Sequence, residues 1–165
     1  HFNRQILSWK ALRPDIVYLL STDIPLSDKD KENGNLHTLA KGDTYRDEYL
    51  TVRAFGSTDI GISFLVQTPE GATVFLRELE DIAVCKEKMD IVLFPVDPRL
   101  GKEYMRGPLQ FVKRIKTTIF VPMHFDEAFE KASAFALLAA SEGTQVLTPV
   151  RRGETLNLDH YINLK

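Results

Sequence analysis

The sequence predicts an α/β fold, α+β in the way its two halves differ, on three observations. Residues 49–75 alternate apolar and polar side chains around a hairpin-type turn, which makes the first half β-rich. Residues 90–150 read instead as strands alternating with helices, which implies layers of helix on a sheet with parallel strands. Finally, 165 residues with 44% hydrophobic content can bury about two-thirds of the unfolded surface, so a single domain over residues 1–165 needs neither disulfide nor structural metal to fold.

Each element follows from local pattern. Over residues 3–12, Ile6, Leu7 and Trp9 are spaced by polar residues as in a short amphipathic helix, ended by Arg13-Pro14. A strand is predicted at 16–20, then a polar surface loop over 21–35 containing Pro25, Gly34 and the charged run 28–32, then a short strand at 36–39. Leu50, Val52 and Ala54 alternate against Thr51, Arg53 and Phe55 in a strand over 49–55. Segments 61–67 and 72–75 form a hairpin about Thr68-Pro69-Glu70-Gly71, with proline early and glycine late as turn chemistry requires. The second half gives an acidic helix over 77–88, a strand at 90–96, a helix near 103–115, a strand at 118–123, a helix over 126–141 and a strand at 145–150. In the helix over 126–141, Phe129, Ala132, Phe135, Ala136, Leu138 and Ala139 trace one apolar stripe, read as core.

Charge and cysteine usage narrow the function classes. A net charge of −2, from 21 Lys and Arg against 23 Asp and Glu, lacks the positive field that nucleic-acid or anionic-membrane binding needs. Lys113, Arg114 and Lys116 are expected on the wet face of a helix. The lone Cys85 forms no intrachain disulfide, and no basic-then-apolar leader is visible, so a cytoplasmic location is expected. The apolar runs are too short to span a bilayer as a helix. The phosphate loop G-x-x-x-x-G-K-[ST], the dinucleotide fingerprint G-x-G-x-x-G, the G-x-S-x-G elbow and paired C-x-x-C are all missing.

At three places a polar group stands at the exit of a predicted strand, where α/β layers build their sites. Phe120-Val121-Pro122-Met123-His124-Phe125 delivers His124 just before a helix, as a ligand or as a hydrogen-bonded structural histidine. Phe94-Pro95-Val96-Asp97-Pro98-Arg99 delivers Asp97 into a turn, where Asp before Pro is also an ordinary turn former. The turn Phe55-Gly56-Ser57-Thr58-Asp59-Ile60-Gly61 offers hydroxyls and one carboxylate. His37 and His160 are expected to be exposed, and Arg151-Arg152-Gly153-Glu154 reads as a turn or as a pair of arginines able to bind phosphate.

Together with His1-Phe2-Asn3 opening a helix and Ile62-Ser63-Phe64 continuing the glycine-rich turn, these segments resemble the metallo-β-lactamase fold over nearly the whole chain. The branch most similar is that of prokaryotic hydrolases like the ascorbate-6-phosphate lactonases. The resemblance implies a four-layer αββα sandwich whose strand-end loops hold one or two metal ions. It implies ligands from a His-x-His-x-Asp-His loop, a later histidine, an Ala-Gly-Asp aspartate and a final histidine. His1 matches the last histidine of the first motif, and His124 matches the final one. The family's middle histidine falls near Ser57, with Asp59 the candidate to replace it. The first strands would lie before residue 1, and the Ala-Gly-Asp loop would fall between residues 75 and 76. The chain is therefore expected to be N-terminally incomplete, with a stretch missing at that point.

The resemblance implies a metal-dependent hydrolase, with zinc the first expectation and manganese or iron(II) the others. A bound divalent ion lowers a water's pKa from about 15.7 to about 7, which makes hydroxide available to attack an ester, lactone or phosphoester of a small polar substrate. Asp97 and Asp59 are the candidate catalytic carboxylates, and Arg99 and Ser57 the candidate substrate contacts, with a surface ion pair the alternative reading of Arg99. Two alternatives stay open: a degenerate, metal-free member of the fold used for binding or assembly, and an RNA-processing nuclease, which the net charge of −2 disfavours. A small-molecule partner is expected, and neither membrane nor nucleic acid is.

Overall fold

The structure, a computed structural model, describes residues 2–57, 60–76, 88–158 and 161. Arg4–Ala11 is helical as predicted, but as a 3₁₀ helix: Asn3 caps it by accepting from the Gln5 N–H, and the Ser8 hydroxyl donates back to the Gln5 carbonyl at 2.7 Å. None of its residues is fully buried, so no packed face stabilises a longer α-helix there.

Strands β1 (Tyr18–Ser21) and β2 (Leu36–Leu39) pair in parallel as a two-stranded sheet. Between them the predicted loop contains a short helix, α1 (Asp28–Lys31). The signal was present in the sequence as a capping box: the Ser27 side chain accepts from the Asp30 N–H while the Asp30 carboxylate accepts from the Ser27 N–H.

The remaining strands form one seven-stranded sheet in sequence order. Strands β3 (Thr44–Arg46), β4 (Thr51–Gly56), β5 (Ile62–Gln67) and β6 (Thr73–Leu76) are antiparallel, and β6, β7 (Met89–Pro95), β8 (Thr117–Met123) and β9 (Gln145–Val146) are parallel. The predicted hairpin is present: Gly71 donates to Thr68 at 3.0 Å with φ of 90°, a conformation that suits glycine, and Thr68 donates to Ala72. Strand β6 runs through residues 75 and 76, the point where a missing stretch is expected. The predicted helix over 77–88 falls almost wholly outside the described residues, and Cys85 with it.

Helices α2 (Arg106–Arg114) and α3 (Phe129–Ala139) cover one face of the parallel half. Phe94 and Phe120 meet Phe111 of α2 and Phe135 of α3, with ring centroids 4.8 Å apart for Phe94 with Phe111 and 4.7 Å for Phe120 with Phe135. Leu39 of β2 packs with Ala54 and Ile62 of the large sheet, which layers the small sheet against the antiparallel half. The observed order, sheets packed together with helices outside, is the predicted α+β sandwich.

Three expectations need correction. Helix α3 begins at Phe129 rather than 126, because Asp126 has a φ of 50°, and its apolar stripe is narrower than predicted: Ala132, Phe135 and Ala139 are buried whereas Leu138 is 47% exposed. Strand β9 stops at Val146; Leu147 makes one more bond to the Phe120 carbonyl, and Pro149 carries no N–H to continue the ladder. His37 is half-buried against the Tyr45 ring, 5.0 Å between centroids, rather than exposed. Lys113, Arg114 and Lys116 are exposed as predicted.

Candidate functional site

The parallel pairing of β7 with β8 brings two of the predicted site residues together. Pro95 pairs with Met123 as the last rung, and the Val96 N–H donates to the Met123 carbonyl at 2.8 Å. His124 follows Met123 directly and Asp97 follows Val96, one residue further out, so the two emerge close together at the carboxyl ends of adjacent strands, with His124 Nδ1 3.8 Å from Asp97 Oδ2. Each chain then turns away. Asp97 caps a 3₁₀ helix at Pro98–Glu103 by accepting from the Arg99 N–H at 3.0 Å, and His124 takes a left-handed φ of 63°.

Asp97 is only 7% exposed, and Arg99 fixes its charge. Arg99 Nε donates to Asp97 Oδ1 at 2.8 Å and Oδ2 at 3.0 Å, and Arg99 Nη2 pairs with Oδ2 as well. The guanidinium's hydrogen bonds hold the Asp97 carboxyl below the usual carboxylate range, burial opposes this, and the charges of Arg99 and His124 add to the lowering. At neutral pH Asp97 is thus an anion that accepts hydrogen bonds, suited to orienting His124 and not to donating a proton. Asp97 in turn raises the Arg99 pKa, chiefly through the same hydrogen bonds.

Pro98, Arg99, His124, Phe125, Asp126, Glu127 and Ala128 line an open cleft of about 700 Å³ at this strand end. The His124 side chain is 34% exposed. Arg152, read from sequence only as part of a turn or phosphate-binding pair, instead reaches Asp126 Oδ1 at 2.8 Å and Glu127 Oε1 at 3.1 Å. The sequence predicts Asp126 and Glu127 in the first turn of a helix; the opposite charges of Asp126-Glu127 and Arg151-Arg152 are the sequence signal for this contact, and they do not specify the pairing.

Of the other predicted site residues, Ser57 follows β4 and is buried, while His1 and Asp59 lie outside the described residues. Among the described residues no three His, Cys, Asp or Glu side chains are placed to hold a metal ion. His124 with Asp97 supplies one imidazole and its carboxylate partner; by themselves the described residues do not fit a complete metal centre. No helix among them is long and apolar enough to cross a membrane.

No family model matches the sequence, and none of the curated proteins matches it. Solved structures do share its fold. A mutant of the CmlA β-hydroxylase matches with a TM-score of 0.62 at 10% identity, over 84% of this chain and 39% of its own. CmlA, a diiron β-hydroxylase from Streptomyces venezuelae, matches with a TM-score of 0.59 at 8% identity, over 79% of this chain and 38% of its own. The chain therefore spans less than half the length of these neighbours. Identity this low speaks to fold and to nothing finer: the chain shares the metallo-β-lactamase fold of CmlA.

Proposed function

We propose that this chain carries part of the active site of a metal-dependent enzyme, and that the reaction is hydrolysis of an ester, lactone or phosphoester bond in a small polar molecule, as in the lactonase-like branch. The observation that carries the reading is the His124 and Asp97 pair at adjacent parallel strand exits beside an open cleft. A buried carboxylate facing a partly exposed imidazole is the arrangement by which proteins orient a metal-ligating histidine. The neighbours' description as diiron enzymes supports a divalent metal. Imidazole and carboxylate donors suit zinc, manganese and iron(II) alike, so iron stands beside zinc as a candidate. His124 and His1 are the proposed ligands, Asp59 a further candidate carboxylate, and Ser57 and Arg99 the proposed substrate contacts. The net charge of −2 disfavours a polyanion such as RNA, so a small-molecule substrate is part of the reading. A cytoplasmic location, inferred from the single cysteine, completes it.

A second reading is favoured by one observation: Arg99 already engages both oxygens of Asp97, as expected of a degenerate site kept for binding. One experiment separates the two. Metal content of the purified protein after equilibration with zinc, manganese and iron(II), alongside assay of ester, lactone and phosphoester substrates, should show a bound metal that His124→Ala weakens by about tenfold or more. A protein that binds none of the three sinks the enzyme reading and leaves the binding protein.

A further inference from the structure

We infer that Arg152 is a positioning residue: by gripping Asp126 and Glu127 at once, it holds the turn between β8 and α3 so that His124 faces Asp97. The inference rests on the reading of His124 as a site residue. Its starting point is backbone geometry. His124 and Asp126 have φ of 63° and 50°, two left-handed residues within three positions, a conformation that L side chains disfavour even though His and Asp tolerate it better than most. Something must over-determine the turn. Ala128 offers α3 no side-chain cap, so the usual device at a helix start is lacking. On the inner side Phe125 is buried against the Phe129 ring, 5.6 Å between centroids. On the outer side the restraint is Arg152, whose Nη2 reaches Asp126 at 2.8 Å and whose Nε reaches Glu127 at 3.1 Å.

Two neighbouring nitrogens of one rigid guanidinium thus hold two consecutive side chains, which a lysine's point charge does not reproduce. Arg152 is itself presented by a closed loop: the Val150 N–H donates to Glu154 Oε2 at 2.6 Å, and Gly153 takes a φ of 73°. The contacts run from Arg152 to the turn that carries His124 beside Asp97, and the bond from Val150 to Glu154 closes the loop in which Arg152 sits. Because the Arg152 side chain is 71% exposed, its loss should hardly change global stability, and that separates a positioning role from a structural one.

The test compares wild type, Arg152→Ala, Arg152→Lys and the double variant Asp126→Asn with Glu127→Gln, all as the full chain. The imidazole ¹⁵N signals of His124, read at a pH where the ring is neutral, report its tautomer. Amide exchange reports order over residues 124–127. Wild type should show one dominant tautomer, with the proton on the nitrogen facing Asp97. Arg152→Ala and the double variant should both move the ¹⁵N signals toward tautomer averaging and speed exchange in the turn by about two- to tenfold, with the unfolding midpoint little changed. Arg152→Lys should recover part of the shift. An unaltered His124 signature in Arg152→Ala, or a signature that changes only together with global unfolding, overturns the inference. Metal content measured on the same samples tells the two readings apart: a protein that binds no metal but shows the tautomer shift refutes the enzyme reading alone.

Discussion

Asp97 gives the sharpest quantitative prediction, because its roles can be removed one at a time. Asp97→Ala deletes the acceptor that caps the 3₁₀ helix at Pro98–Glu103 and abandons the guanidinium of Arg99. Loss of such a cap costs about 0.5–2 kcal/mol. Arg99 is 73% exposed, so water screens the ion pair and keeps its share small. The total should be about 1–2 kcal/mol at pH 7, dominated by the cap. Asp97→Asn keeps a cap acceptor nearly as good as Asp and removes only the charge, so it should cost less than half as much. The charge component has a definite pH signature. The folded-state pKa of Asp97 is lowered, so its contribution is complete above the unfolded value of about 3.9 and is lost as pH falls through the folded pKa below that. Urea unfolding of wild type and Asp97→Asn at pH 7 and at successively lower pH should therefore give stabilities that converge below about pH 4. A gap that stays constant or widens on acidification would refute the assignment, as would an Asp97→Ala cost below about 0.3 kcal/mol at pH 7.

Other substitutions test the packing around the site. Phe120 is fully buried between the rings of Phe94, Phe111 and Phe135, so Phe120→Ala should cost about 3–5 kcal/mol by urea denaturation. Asp90, beside Lys88, accepts from the Thr73 N–H at 2.8 Å and ties the start of β6 to β7; Asp90→Ala should cost about 1 kcal/mol and raise amide exchange at Thr73 before the rest of the sheet opens. Leu138→Lys should leave stability within about 0.5 kcal/mol, since that side chain is half-exposed and not core; a cost of several kcal/mol would restore the wider stripe read from sequence.

The strands that frame the site were legible because both periodicities that define them are strong. Leu50 to Phe55 alternates cleanly, and Thr68-Pro69-Glu70-Gly71 carries its own turn chemistry. Two short elements were not: β3 (Thr44–Arg46) is too short for any period to show, and α1 was visible only as a capping box inside a charged run. At the site, Asp97 and His124 could be picked out as strand-exit residues, but their adjacency is a matter of register. No pattern along one segment states which residue of a second segment lies opposite it. The Arg99 clamp on Asp97 and the Arg152 grip on the turn were illegible for a related reason: a charged side chain in a loop has several opposite charges within reach, and backbone conformation decides among them. Here that conformation includes left-handed residues that are not glycine, the class for which sequence signals are weakest.

The prolines of β7 and β8 show how the sheet ends where the site begins. Proline inside a central strand removes a ladder donor, which makes Pro95 and Pro122 surprising between strands paired on both sides. The register resolves it. The Val96 N–H points toward β8, so by alternation the nitrogen of Pro95 points toward β6. Among the described residues the last pair with β6 is Leu76 with Leu93. On β8 the Phe120 carbonyl accepts from Leu147, so the nitrogen of Pro122 points to the β9 side, beyond the last pair of Phe120 with Val146. Among the described residues each proline thus turns its missing donor toward a place where no strand follows. Among the described residues the central pair β7 and β8 continues two rungs beyond the last pair with β6 and three beyond the last pair with β9, still bonded to each other through Val96 and Met123. That overhang carries Asp97 and His124 out of the sheet close together, one residue apart along the register that the backbone ladder sets. The burial that drives Phe94 and Phe120 into the core therefore also sets the spacing of the polar pair above them, and a slip of one residue would turn either side chain to the opposite face and separate them.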